Sequence, residues 1–329
     1  MSAPLLQVQD LSVTFDVARR GSWPWTEPHK LQAVKQASIL LEPGRTLGLV
    51  GESGSGKSTL ARAIVGTVPV SAGRVLWRGA DIAQMDASER RAHGRHVQMV
   101  FQDPLDALNP RMTVGQIVAE PLLTHMPDLS KAQVRTKVGA MMERVGLLPA
   151  LVNRYPHEFS GGQCQRIGIA RALITEPELV VCDEPVSALD VSVQAQVVNL
   201  LQDLQRDMGL ALMFIAHDLS VVRHISHRIA VMYLGRIVET AGAAELITNP
   251  RHPYTRALIA SVPIPSPKAE RARPRPVLQG ELPSPMAPPS GCVFRTRCPI
   301  AQPDCAEASP PLTDLGQDHL VACPHHAEP

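Results

Sequence analysis

One glycine-rich segment, residues 51–58, constrains the fold of this chain more than any other feature. Gly51, four further residues and then Gly56-Lys57-Ser58 have the spacing of a phosphate-binding loop. The apolar run from Thr46 to Val50 is typical of a buried strand, and the run that follows the loop, up to Val65, is typical of a helix. This order directs backbone N–H groups and the positive end of a helix dipole at an anion. The pattern predicts an α/β fold with a phosphate site, and a chance glycine-rich turn explains the matching context poorly.

The residues of this loop have distinct expected tasks on a nucleotide. Lys57 would bind the β- and γ-phosphates, and Ser58 would ligate Mg²⁺. The residues expected to contact the nucleotide here are Gly51, Ser53, Gly54, Ser55, Gly56, Lys57, Ser58 and Thr59.

Two adjacent carboxylates follow a later apolar run. Leu179 to Cys182 predicts a strand, and Asp183 and Glu184 come directly after it. Ligands of open α/β sheets bind at the carboxyl ends of the strands. Asp183 is therefore expected to hold Mg²⁺, usually through water, and Glu184 to deprotonate the attacking water as general base. A solvated strand end would explain the pair alone, but the phosphate loop favours the catalytic interpretation.

Composition divides the chain into two parts. Residues 1–248 alternate short apolar runs with helical patterns, which indicates an α/β domain with a mainly parallel sheet. Residues 249–329 contain 17 of the 30 prolines and four of the six cysteines, so an irregular extension is expected there.

Charge and hydropathy exclude two classes of protein. The 32 Lys and Arg residues against 31 Asp and Glu give a net charge of +1, which argues against a nucleic-acid-binding protein. No apolar run approaches the roughly 20 residues that cross a membrane, and the first residues do not resemble a secretion signal. A cytoplasmic location is expected.

Further motifs carry a family resemblance. Phe159-Ser160-Gly161-Gly162-Gln163 resembles the LSGGQ signature of ATP-binding cassette (ABC) ATPases, with Phe in place of the usual Leu. The other ABC elements follow the family's pattern: Gln102 resembles the Q-loop, Ser187 to Asp190 the D-loop, and His217 the H-loop. The resemblance covers residues 46–218. It implies a RecA-like phosphate-loop core, an antiparallel β subdomain and a helical subdomain at about residues 103–165.

The resemblance also implies roles for these motifs. The signature residues would contact the γ-phosphate of ATP held by an opposite subunit, so that ATP lies between two nucleotide-binding domains; they are Ser160, Gly161, Gly162 and Gln163. Gln102 would contact Mg²⁺ and the attacking water, His217 would contact the γ-phosphate, and Asp190 would link the two sites. Without the resemblance, a histidine after an apolar strand is more typical of a core residue.

The aromatic residues near the first predicted strand are less specific. Phe15, at the end of that pattern, matches the adenine-stacking aromatic of the family. Trp23 and Trp25 lie in a nearby insertion, and a packing role is an equally good interpretation for all three. Cys164 and Cys182 lie beside functional motifs, but such thiols are commonly inert, so no chemistry is expected of them.

The segment after Gln102 contains a helix-start signal. Thr113 and Gln116 form a capping-box pattern, which predicts a helix beginning there. In ABC transporters this segment belongs to the helical subdomain that receives the membrane subunits. The resemblance therefore implies separate membrane proteins as partners, and a helical insertion that serves only stability is the alternative.

The extension indicates which group of ABC ATPases the chain resembles. The segments 249–255, 280–285 and 291–299 closely resemble the tail of ATPases from bacterial oligopeptide and dipeptide importers, and the F-type oligopeptide subunits are most similar. The resemblance implies ATP hydrolysis that powers peptide import at the cytoplasmic face of the inner membrane. The implied partners are a second, related ATPase in a heterodimer, two membrane permeases and an external peptide-binding protein.

Two alternatives to peptide import stay open. Importers of nickel, glutathione or other small solutes use closely similar ATPases. A soluble ABC ATPase working in translation or DNA repair is the other alternative, although such proteins usually carry two cassettes or a basic surface.

Four cysteines in the extension form a candidate metal site. Cys292, Cys298, Cys305 and Cys323 are separated by five, six and seventeen residues. Four thiolates suit an iron–sulfur cluster or tetrahedral Zn²⁺, and disulfides are not expected in a reducing compartment. The lack of paired C-x₂-C spacing weakens the zinc interpretation, and the resemblance implies a [4Fe–4S] cluster. Zn²⁺, with His319, His325 or His326 as substitute ligands, and unliganded thiols are the alternatives.

Overall fold

The computed structural model describes residues 3–17, 27–262, 271 and 280–326. Trp23 and Trp25 lie outside these residues. The strands among them are β1 (Leu6–Val17), β2 (His29–Leu41), β3 (Thr46–Val50), β4 (Ala72–Trp77), β5 (Ala80–Asp81), β6 (Val97–Val100), β7 (Leu179–Asp183), β8 (Ala211–Ile215), β9 (Arg228–Tyr233), β10 (Arg236–Gly242), β11 (Thr313–Asp314) and β12 (Leu320–Val321). The α-helices among them are α1 (Lys57–Val65), α2 (Ala87–His96), α3 (Val114–His125), α4 (Lys131–Arg144), α5 (Gly161–Leu173), α6 (Val191–Met208), α7 (Leu219–Ile225), α8 (Ala243–Thr248) and α9 (Pro253–Ser261).

The larger sheet has the strand order β11-β12-β10-β9-β3-β8-β7-β6. Its five strands from β9 to β6 are mutually parallel, and β10, β12 and β11 continue it with antiparallel pairing. Every residue of β3, β7 and β8 is buried. Strands buried on both faces have continuous apolar sequences, which explains the uninterrupted apolar runs at these positions. Because the strands are parallel, the segments that follow β3, β6, β7 and β8 meet at one edge.

The second sheet is antiparallel, with the order β2-β1-β4-β5. Its register pairs Leu6 with Leu41 and Val8 with Val75. The buried side chains of this sheet share one apolar core with α1 and one face of the larger sheet. A separate core on the opposite face contains the buried residues of α3 to α8.

Helices α3, α4 and α5 occupy the segment between β6 and β7. The Thr113–Gln116 capping box is confirmed: the Thr113 N–H donates to Gln116 Oε1 at 2.8 Å, and the Gln116 N–H donates to Thr113 Oγ1 at 3.4 Å. Helix α5 begins within the segment expected for the helical subdomain and ends at Leu173, and most of its residues are buried in the core.

The extension has few regular elements, as its composition predicts. It contributes α9 and two short strands, of which β12 pairs with β10 through Glu239 with Val321 and Thr240 with Leu320. Phe294 is fully buried and packs against Tyr233 and Tyr254. The extension thus completes an edge of the larger sheet. None of the described helices is both long enough and apolar enough to cross a membrane.

Candidate nucleotide-binding site

The glycine-rich loop joins β3 to α1 at the carboxyl edge of the larger sheet. Gly56 is the N-terminal cap of α1 and has a φ of 103°. A Cβ at Gly56 would lie 2.3 Å from the carbonyl oxygen of Ala33, so only glycine fits. No side chain caps this helix, so the first N–H groups of α1 are available to an anion.

Lys57 is buried within the loop. Its Nζ donates hydrogen bonds to the carbonyl oxygens of Gly51 at 2.9 Å and Glu52 at 3.0 Å. Burial lowers the pKa of Lys57, and the nearby carboxylates of Glu184, Asp183 and Glu52 oppose that shift. The ammonium is therefore held at the centre of the loop, where it can meet phosphate oxygens.

Ser58 and Asp183 lie in direct contact. Ser58 Oγ donates a hydrogen bond to Asp183 Oδ1 at 2.8 Å, and Asp183 is only 2% exposed. Burial raises the pKa of Asp183, and the Ser58 hydrogen bond and the charge of Arg62 oppose the shift. A hydroxyl and a carboxylate side by side are oxygen ligands of the kind that Mg²⁺ prefers.

Glu184 lies where the other polar motifs converge. Its Oε2 accepts a hydrogen bond from Gln102 Nε2 at 3.4 Å and lies 3.6 Å from His217 Nδ1, while Lys57 Nζ is 3.9 Å from Oε1. Glu184 has a φ of 47°, and its N–H donates to Ile215 O at 3.0 Å. A non-glycine residue in the left-handed region is strained, and such strain is common at functional sites. The structure thus brings together the four residues Lys57, Gln102, Glu184 and His217.

The signature segment forms the start of α5. Ser160 is the N-terminal cap of α5 and forms a capping box with Gln163. No hydrogen bond or ion pair of the described residues joins 160–163 to residues 51–58. Asp190 caps α6, and its Oδ1 accepts hydrogen bonds from the N–H groups of Ser192 and Val193. These bonds lower the pKa of Asp190, the largest effect coming from the Ser192 hydroxyl.

Phe15 lies near the end of β1 and is 36% exposed, as an aromatic available for stacking would be.

Known proteins resemble this chain over nearly its whole length. The ABC transporter family matches residues 34–187, and the family of oligopeptide/dipeptide transporter C-terminal regions matches residues 238–305. The chain is 60% identical to the oligopeptide transport ATP-binding protein OppF of Salmonella typhimurium, covering 97% of this chain and 95% of the relative. It is 57% identical to OppF of Haemophilus influenzae, with 97% and 96% covered. The chain belongs to the oligopeptide transport ATP-binding proteins.

A solved structure supports the fold of this family member. The dimeric, post-hydrolysis ATP-binding cassette MJ0796 with ADP and phosphate aligns with a TM-score of 0.63 at 25% identity, covering 72% of this chain and 98% of MJ0796. The predicted ABC-type α/β fold and ATPase class are therefore confirmed for this oligopeptide transport ATP-binding protein.

The four cysteines of the extension line one cavity of about 280 Å³. Cys292 and Cys305 are linked by a hydrogen bond from the Cys292 N–H to the Cys305 carbonyl at 2.8 Å. Burial raises the pKa of Cys292 and Cys298, and that of Cys323 to about 11. All six cysteines are free thiols.

The three histidines weighed as zinc ligands have different surroundings. His319 is buried, and its Nε2 lies 2.7 Å from Glu239 Oε1. His326 contacts the carbonyl oxygen of Cys323 through Nδ1. Only His325 joins a compact group of ligand atoms, with Asp304 and Cys305.

The structure also reveals contacts that the sequence analysis missed. Glu52, in the phosphate loop, pairs with Arg297 of the extension at 2.8 Å, and its N–H donates to Tyr254 Oη at 2.9 Å. Arg297 and Glu52 are 245 residues apart. No periodic pattern or local motif indicates such a contact, so the sequence does not predict it.

Proposed function

We propose that this chain binds MgATP between its own phosphate loop and the signature segment of a second ATPase subunit, and that hydrolysis powers import of oligopeptides or dipeptides. The observation that carries the catalytic part is the position of Glu184, with Gln102 at 3.4 Å, His217 at 3.6 Å and Lys57 at 3.9 Å. The importer part is supported by the near full-length similarity to OppF proteins.

Nucleotide binding is assigned to the loop and its neighbours. Loop N–H groups and Lys57 would hold the phosphates, and Phe15 would stack on the adenine. Ser58, Asp183 and Gln102 would hold Mg²⁺, and the contact between Ser58 and Asp183 at 2.8 Å supports this. When bound, Mg²⁺ neutralises charge on the phosphate oxygens.

Hydrolysis is assigned to Glu184 as the general base. Its carboxylate would accept the proton of the attacking water, while the Gln102 amide orients that water. His217, whose side chain is 61% exposed beside Glu184, would contact the γ-phosphate. Lys57, next to Glu184, would stabilise charge on the phosphoryl group during transfer.

A second chain completes the site in this proposal. The signature residues 160–163 have no bond to the loop of their own chain, and the exposed start of α5 offers N–H groups to a nucleotide on another chain. Asp190 would contact the opposite site. The partner would be a related ATPase, giving a heterodimer.

Membrane permeases and an external peptide-binding protein are the other proposed partners. Large apolar side chains lie exposed between β6 and the end of α3, with Leu105 54% and Leu123 61% exposed. In this proposal these side chains form part of the surface that contacts the permeases. The chain would then work at the cytoplasmic face of the membrane, bound to its permeases.

Replacing the proposed base tests the catalytic assignment. Glu184→Gln should retain MgATP binding and nucleotide-driven association with the partner ATPase but lose turnover by about two orders of magnitude or more, because the amide cannot accept the proton. The control is Glu176→Gln, whose exposed carboxylate pairs with Lys137. Hydrolysis by Glu184→Gln at the control's rate would remove Glu184 as the base.

We further propose that the four cysteines hold a [4Fe–4S] cluster. The cavity that all four cysteines line supports this. Four cysteine thiolates are the ligand set that such a cluster takes. When bound, such a cluster supplies structural cross-links and one-electron chemistry.

Metal analysis tests this assignment on protein purified without oxygen. About four irons and four acid-labile sulfides per chain, with visible absorption, are expected. Cys292→Ser should lose them, and Cys164→Ser, outside the cavity, should not. One zinc without sulfide, or no metal, would overturn the cluster and leave the nucleotide assignment intact.

A further inference from the structure

Glu52 has no task in the proposed hydrolysis, yet the extension holds it at two points. Arg297 Nη1 donates to both carboxylate oxygens of Glu52, at 2.8 Å and 3.1 Å. The Glu52 N–H donates to the hydroxyl of Tyr254, in α9, at 2.9 Å. The Arg297 side chain is 9% exposed and that of Glu52 28%, so water screens this pair only in part.

Arg297 is held by a backbone hydrogen bond and by a contact with an aromatic ring. It lies one residue before Cys298, and its N–H donates to the Phe294 carbonyl at 3.0 Å. Its guanidinium lies 5.9 Å from the ring centroid of Tyr233. Tyr233, Tyr254 and Phe294 are fully buried and pack together, with ring centroids 4.7 to 5.4 Å apart. A rigid aromatic cluster therefore aims Arg297 at the phosphate loop.

Glu52 transmits this placement to the phosphate-binding groups. Its carbonyl oxygen accepts a hydrogen bond from Lys57 Nζ at 3.0 Å, next to the one that Gly51 accepts. A shift of Glu52 would move the Lys57 ammonium and the loop N–H groups with it. Arg297 also neutralises a carboxylate that would otherwise repel the phosphates of a nucleotide.

We propose that Arg297 is a positioning residue for the phosphate-binding loop, through which the four-cysteine segment and the nucleotide site influence each other. The proposal rests on nucleotide binding at this loop and requires no metal in the cysteine cavity. Because coupling between two sites is reciprocal, nucleotide binding must also stabilise the segment around Arg297. A purely structural ion pair would hold the extension in place but would show no such response.

The first experiment tests whether Arg297 affects nucleotide binding. It measures the affinity for MgAMP-PNP by calorimetry on the full chain. Arg297→Gln should weaken binding about five- to tenfold, the low end of typical couplings because Glu52 is partly exposed. Arg297→Lys keeps the charge without the planar fork and should be intermediate. The matched control is Arg228→Gln, which removes another link from the core to the extension, at Asp318, and should stay within about twofold of wild type.

Hydrogen exchange tests the reciprocal effect, which is that of nucleotide binding on the segment around Arg297. Binding of MgAMP-PNP should slow exchange in the peptide containing residues 292–298 of wild type and Arg228→Gln, but not of Arg297→Gln at saturating nucleotide. Equal losses of affinity in Arg297→Gln and Arg228→Gln would overturn the proposal. It would also be overturned if the exchange rate of residues 292–298 in wild type were the same with and without nucleotide. Failure of wild type to bind nucleotide would instead overturn the proposed function.

Discussion

At the scale of single residues, His93 shows how a buried polar group depends on pH. Its ring is 8% exposed and packs edge-on against Trp77, with centroids 5.3 Å apart. Neither ring nitrogen has a hydrogen-bond partner among the described residues. Burial lowers the pKa of His93, and the nearby His96 lowers it further. The folded protein therefore holds this imidazole in its neutral form.

This environment predicts an acid-sensitive stability term. Unfolded His93 titrates near pH 6.5 and folded His93 at lower pH, so the unfolded chain binds more protons as the pH falls below about 7. The free energy of unfolding should decrease there by at most about 1.4 kcal/mol per pH unit from this group. In urea unfolding at pH 7.5 and 5.5, His93→Leu should lose less stability than wild type. His29→Leu, at an exposed position, should behave as wild type; equal acid losses in wild type and His93→Leu would contradict the account.

At the scale of elements, the start of α5 rests closely on α6. A Cβ at Gly162 would lie 2.5 Å from Val193 Cγ1, whereas a Cβ at Gly161 would lie at an ordinary 3.7 Å from Leu189 Cδ2. Neither glycine has a positive φ, so the difference between them is steric. The capping box of Ser160 fixes where α5 begins and hence which glycine meets α6.

This contact predicts that alanine is tolerated at Gly161 but destabilises the protein at Gly162. Gly162→Ala should lower the free energy of unfolding by about 1–3 kcal/mol, because Val193 or the helix must shift. Gly161→Ala should leave it within about 0.5 kcal/mol or raise it slightly. Urea unfolding of the two variants in the absence of nucleotide measures this difference; equal stability of the pair would show that the α5–α6 contact is not tight.

At the scale of the whole molecule, a buried carboxylate fastens the extension to the larger sheet. Glu239, in β10, is fully buried. It accepts hydrogen bonds from the N–H groups of Arg251 at 2.7 Å and His252 at 3.0 Å, and lies 2.7 Å from His319 Nε2. Glu239 therefore joins β10, the start of α9 and the segment before β12.

Removing this carboxylate should loosen the extension. Glu239→Leu removes the acceptor of the buried His252 N–H and the carboxylate beside the buried His319 imidazole, and we expect a loss of about 3–5 kcal/mol in the free energy of unfolding. Limited proteolysis should then cut within the extension before the rest of the chain. Glu245→Gln is the matched control, since Glu245 is 39% exposed and 3.7 Å from the other side of His319; an equal effect would show that burial of Glu239 is not decisive.

Local sequence determined the elements that carry the proposed nucleotide site. The strand before the loop, the helix after it, the strand ending at Asp183 and the capping box at Thr113 follow from apolar periodicity and from side chains that bond within three residues. The meeting of Gln102, Glu184 and His217 was expected from the family resemblance, and parallel strands explain it because their carboxyl ends share one edge.

Tertiary structure alone decided how the extension joins this core. Strands β11 and β12 have two residues each, too few to show a period of two, so composition predicted only irregularity. The contacts of Glu52 with Arg297 and of Glu239 with His319 span 245 and 80 residues. A side-chain contact between such distant positions leaves no local pattern, because it forms only where packing of the whole chain brings the two side chains together.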